Sequence, residues 1–115
     1  MYVKRAEQRE WQSAGYPGGD RAILHINRTE GRTSLVRIKA GARGPRHTHG
    51  AGEHAFLLAG KVEIGGHVLG VGDYLYSEAG EEHALVALED SLIYVSTERP
   101  IQITQPEEAA TSMQA

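Results

Sequence analysis

His47, His49, Glu53 and His83 are the side chains whose types and spacing could do chemistry together. In an extended His47-Thr48-His49 segment side chains alternate with a period of two, so both imidazoles face the same side. Gly50-Ala51-Gly52 then lets the chain turn and present the Glu53 carboxylate beside them, and His83 arrives about thirty residues later at the start of an apolar stretch. Three imidazoles and a carboxylate form a mixed nitrogen and oxygen donor set. Such a set suits a divalent transition metal, whether Fe, Mn, Ni, Zn, Cu or Co, and selects none of them decisively. Four protein ligands on a six-coordinate ion leave room for water, dioxygen or a bidentate substrate, which separates a working site from a closed structural one.

Elements of the right kind surround these residues. Ala22 to Asn27, Thr33 to Lys39, His54 to Ala59, Lys61 to Ile64, His67 to Leu69, Asp73 to Ser77, His83 to Leu88 and Ser91 to Thr97 read as short strands rich in Val, Ile, Leu, Tyr and Thr. The 14 glycines punctuate them with turns. Gly65-Gly66 is a two-residue hairpin connection of the primed type, which requires positive φ. So many short strands imply an all-β closed barrel or sandwich, an arrangement that also hides strand edges. The expected organisation is an N-terminal arm or strand over residues 1–20 with the lone Trp11, a barrel over 21–104, and a frayed polar tail over 105–115.

At 115 residues the chain suits one core. Lys and Arg total 12 against 15 Asp and Glu, a net charge of −3, which offers no basic footprint for nucleic acid. No apolar run is long enough to cross a membrane as a helix, and residues 1–10 are too polar for a signal peptide. The absence of cysteine excludes disulfides, iron–sulfur clusters and thiol nucleophiles, and a reducing cytoplasm is the simplest setting.

The remaining candidates weigh less. His54 points to the strand face opposite Glu53, which favours a surface or interface role; His67 follows the hairpin turn as a solvated residue; His25 reads as a satisfied buried or interface histidine. Tyr74 and Tyr76 share a strand face, where packing is the commoner role and substrate orientation the sharper one. Ala55 and Leu57 share the face of Glu53, and Leu85 and Ala87 that of His83, so these four are expected to line an apolar cavity suited to a small organic ligand. Arg43, Arg46 and Glu81-Glu82 read as solvated charges, and Glu78 sits near the ligands without a clear task. There is no Ser/His/Asp triad and no phosphate-cradling loop, and no catalytic residue is assignable.

The stretch Gly41-x5-His47-x-His49-x3-Glu53-x6-Gly60 is similar at every fixed position to the first motif of the cupin superfamily. Gly72-x5-Glu78-x-Gly80-x2-His83 resembles the second, with Glu78 where proline is usual and Ala87 where asparagine is common. The resemblance implies a double-stranded β-helix (jelly-roll) barrel, metal held by His47, His49, Glu53 and His83, and a homodimer. The His-x-His-x-Gly-x-Gly-Glu wording and the short span from Gly60 to Gly72 narrow it to small single-domain, RmlC-like cupins. Among these it looks most like the acetylacetone-cleaving dioxygenases and the cupin of zinc-dependent anti-sigma factors. In that dioxygenase three histidines hold iron, so the resemblance also allows Glu53 to act behind the ligands, hydrogen-bonding an imidazole or a water. The implied function is a metal-dependent dioxygenase, or a related lyase or isomerase, acting on a small chelating carbonyl or enol substrate. The alternative is a non-catalytic ligand- or metal-sensing module.

Overall fold

The structure, a computed structural model, describes residues 1–103, with the backbone alone for His49 and residues 101–103; the expected 105–115 tail lies outside the described residues. A short 3-10 turn, Ala6–Gln8, precedes eleven strands: β1 Trp11–Ser13, β2 Gly19–Ile26, β3 Arg32–Ile38, β4 Arg43–His49, β5 Glu53–Ala59, β6 Val62–Ile64, β7 His67–Leu69, β8 Tyr74–Ser77, β9 Glu82–Ala87, β10 Ser91–Thr97 and β11 Ile101–Ile103. They form two antiparallel sheets, one of six strands in the order β1-β2-β3-β10-β5-β8 and one of five in the order β11-β4-β9-β6-β7. The all-β jelly roll expected from the sequence is the observed fold. Every expected strand is present, with ends shifted by up to three residues.

Local chemistry explains the connections. Gly65 and Gly66 have φ of 56° and 85° and join β6 to β7 with Ile64 opposite His67, the two-residue primed turn read from the sequence. Gly60 also has positive φ (87°), and a Cβ there would lie 2.3 Å from the Asp90 carbonyl oxygen, so only glycine fits this crossing.

The inward stripes of the central strands carry the fold's main physical lesson. Arg32, Ser34, Val36 and Ile38 alternate along β3; Thr97, Val95, Ile93 and Ser91 along β10; Glu53, Ala55 and Leu57 along β5; His83, Leu85 and Ala87 along β9. The pairing registers align them, with Ser34 opposite Val95 and Val95 opposite Ala55. At one end these stripes are apolar, and Ile38, Ala55, Leu57, Val62, Ile64, Leu69, Ala87 and Ile93 close into a single core. Each large apolar side chain fully buried there contributes about 1.5–3 kcal/mol. At the other end the stripes turn polar and the interior opens into a cavity. One end of the barrel holds the fold together and the other is left for chemistry.

One expectation needs correction. Leu57 and Ala87, expected to line the cavity, are 0% and 1% exposed and belong to the packed core, because the stripe dives too deep at their positions. Trp11 opens strand β1. It pairs with β2 of its own chain, and the Arg37 guanidinium lies 4.1 Å above the Trp11 ring while also reaching Asp20 at 3.2 Å. Among the described residues no helix is long and apolar enough to cross a membrane.

Candidate metal centre

His47 and His83 face each other across the β4–β9 ladder, and their rings meet edge to face with centroids 4.6 Å apart. A bulge makes this possible. Gly44 is opposite Leu85 and His47 opposite His83, so three steps on β4 match two on β9 and the extra residue falls at Pro45–Arg46. Without it, alternation would turn His47 away from the cavity that Gly44 lines. Pro45 is well suited to the irregularity, since it has no N–H to lose from the ladder.

Glu53 enters from the opposite sheet, flanked by Thr97 on β10 and Ser77 on β8. Its carboxylate oxygens lie 3.3 Å from His83 Nε2 and 3.9 Å from His47 Nε2. One donor atom from each of the three residues falls within 4.8 Å of the others. His49 is the last residue of β4, two on from His47 and opposite Ile101; its side chain lies outside the described residues. The structure therefore brings three of the four sequence-derived candidates together.

The ring nitrogens turned away from the cluster are also engaged. His47 Nδ1 is 3.2 Å from the Pro45 carbonyl oxygen, which can only accept, so Nδ1 donates its hydrogen there and Nε2 is the nitrogen turned toward Glu53. His83 Nδ1 is 3.3 Å from Ser77 Oγ; with Ser77 accepting, His83 takes the same tautomer. The Glu53 and His83 side chains are each 8% exposed. A carboxylate so deeply buried beside imidazoles is favourable when a cation joins it, and this donor set fits a divalent metal.

Above the cluster lies a cavity of about 380 Å³. Ala55, Leu85, Val36, Ile93, Val95 and Ile64 supply its apolar wall. Five polar side chains that the sequence did not point to join them: Tyr16, Arg21, Arg32, Ser34 and Thr97. Burial, with the nearby charge of Asp20 as a smaller cause, pushes the Tyr16 phenol up to about 12, so it remains a neutral donor across the physiological range. The only available signal for Arg32 and Ser34 was their phase on a stripe that continues into Val36 and Ile38.

The other candidates fall outside the cavity. Tyr74 and Tyr76 face outward with His54, whose Nδ1 pairs with the Tyr74 hydroxyl, so substrate orientation by these tyrosines is ruled out by their side of the sheet. His25 is exposed rather than buried and pairs with the Tyr2 hydroxyl. His67 is exposed, Arg46 pairs with Glu82 at 3.6 Å, and the Glu78 N–H donates to the Glu81 carboxylate within a turn.

Comparison with known proteins agrees with this architecture. A putative acetylacetone dioxygenase from Methylibium petroleiphilum PM1 superposes with a TM-score of 0.84 at 21% identity, covering 93% of this chain and 83% of that one. The structure of Rhodobacter sphaeroides SigE in complex with the anti-sigma ChrR matches with a TM-score of 0.71 at 28% identity, over 81% of this chain and 50% of that one. The Arabidopsis thaliana DNA damage-repair/toleration protein DRT102 is 29% identical over 105 residues, 86% of this chain and 33% of that protein. The chain thus spans about a third of the length of the curated relative it matches. The sequence model of one family, the ChrR cupin-like domain, matches residues 1–102. With the jelly roll and the His–Glu–His cluster in place, that match makes this chain a member of the ChrR cupin-like family.

Proposed function

We propose that this protein is a metal-dependent cupin acting on a small organic molecule, with His47, His49, Glu53 and His83 holding one divalent transition metal. The observation that carries the reading is the buried convergence of His47, Glu53 and His83 from two sheets at the floor of a cavity. When bound, the metal supplies Lewis acidity and a template for a chelating carbonyl or enol, the chemistry of a dioxygenase or of a related lyase or isomerase. The protein's own part is to hold the imidazoles in one tautomer through Pro45 and Ser77, to keep bulk water away with the apolar wall, and to offer neutral donors such as Tyr16 to the substrate. The dioxygenase among the structural neighbours supports the fold of such an enzyme.

A second reading has its own support. The family and one neighbour are named for the anti-sigma ChrR, which favours a sensing module whose occupancy is read by a partner protein. A homodimer and a cytoplasmic setting belong to either version; the outward Phe56, Leu58 and Tyr74 offer an apolar face for the former. Elemental analysis of protein purified without added metal, followed by oxygen uptake with a panel of β-dicarbonyls, separates the two readings. Iron with substrate-dependent uptake supports the enzyme; zinc with no uptake supports the sensor; protein that takes up no metal refutes both.

A further inference from the structure

The cavity carries a charge that the metal centre does not use. Arg21 on β2 is opposite Val36, which is opposite Ile93 on β10, and Ile93 is opposite Leu57 on β5. Arg21 thus stands level with Leu57, four residues or about 13 Å along the strands from Glu53, and it lines the same cavity. Its Nε is buried and has no hydrogen-bond partner, the sole buried side-chain nitrogen or oxygen in that state among the described residues. No carboxylate lies within ion-pair distance of its guanidinium among the described residues, whereas Arg37 and Arg46 both have one. A guanidinium keeps its charge at any physiological pH, and a buried unpaired N–H is costly, so a fold retains one where something else completes it. Arg32 adds a second cation on the same wall, held at the Glu53 end by donating to the Glu30 carbonyl at 2.9 Å. Glu53 is the only carboxylate on the cavity wall among the described residues.

We infer that Arg21 is the recognition site for a carboxylate on the substrate, which is therefore an organic acid with a carbonyl or enol at its far end. The inference rests on the proposed metal function for that far end and adds the acidic group. A planar guanidinium on a cavity wall matches a carboxylate through two parallel hydrogen bonds. The apolar residues between, Val36, Ile93, Val95 and Ala55, fit a short carbon skeleton. A cavity of 380 Å³ is near the lower end of small-molecule sites. A phosphate would call for a denser cluster of donors than one buried arginine provides.

The test uses matched ligands on the full chain. The acid 4,6-dioxoheptanoate and its methyl ester share a chelating β-diketone and differ only in charge at the other end. Isothermal titration of metal-loaded wild-type protein is expected to show the acid binding about 10- to 100-fold more tightly than the ester, the range of a hydrogen bond to a charged group. Arg21→Met should abolish that preference, leave ester affinity and metal content unchanged, and fold with equal or higher thermal stability because it removes an unpaired buried N–H. Arg21→Lys should retain part of the preference. Equal binding of acid and ester by the wild type, or a preference that survives in Arg21→Met, overturns the inference and leaves the proposed metal function standing. Inorganic phosphate that competes as well as the acid overturns the carboxylate assignment. Hexanoate, which has no chelating end, is expected to raise the melting temperature of metal-free wild type and not of Arg21→Met. That result upholds the arginine site even if the metal reading fails, and its absence counts against the site.

Discussion

Ser77 is the residue whose replacement tests the centre most sharply. Its Oγ is 3.3 Å from His83 Nδ1, and the residue is 3% exposed. Ser77→Ala changes volume little, so packing is preserved and the acceptor alone is lost. A metal-bound His83 would then keep an Nδ1–H in a dry environment with nothing to receive it. Such supports are worth about 10- to 100-fold in metal affinity. At 3.3 Å the contact is longer than an ideal one, which places the expected loss near the lower limit, about tenfold, or roughly 1.4 kcal/mol. The assay is competition against a chromophoric chelator at neutral pH, on wild type and Ser77→Ala side by side, with melting curves of both metal-free proteins as the control. A weaker metal complex with a nearly unchanged metal-free melt supports the argument. Identical metal affinity in the two proteins would refute the claim that Ser77 orients His83 for ligation.

Other outcomes follow from the same geometry. Because imidazoles must be neutral to ligate, metal occupancy measured by equilibrium dialysis should fall as pH drops through about 6.5; full retention at about pH 4 would contradict histidine ligation. His83→Ala should strip the metal yet leave a cooperative melt, since the core is built from other residues; an unfolded variant would make the centre structural. The Tyr16 phenol is raised from 10.0 to about 12, so the folded state favours its neutral form: stability is full below pH 10 and falls as pH rises toward 12. Urea melts across that window should show a loss of about 2–3 kcal/mol that Tyr16→Phe largely removes. Leu57→Ala, at the deepest point of the β5 stripe, should cost about 2–5 kcal/mol in the same melts.

Much of this protein is written locally. The Gly65-Gly66 turn follows from two residues that alone tolerate positive φ without cost, and the strands from short β-rich runs between glycines. The facing of His54 away from Glu53 needed no more than the period of two, and the grouping of His47, Glu53 and His83 was carried by motif spacing. Local pattern could not count the extra residue at Pro45–Arg46, because a bulge shows only against the partner strand. Nor could it separate lining from core: Leu57 and Ala55 have the same phase on β5 and both pack in the core, and only depth in the assembled barrel lets Ala55 also reach the cavity wall.

The sequence by itself determined the all-β strand pattern and its hairpin from side-chain type and local spacing, and, through motifs that resemble the cupins', the jelly roll and the residues that could bind metal. Tertiary structure alone decided which of these converge, that Tyr74 and Tyr76 look outward, and that Arg21 and Arg32 share the cavity with the centre. Strand alternation fixes which residues share a face. Which face becomes the interior, and what meets across it, is settled only when two sheets close on each other.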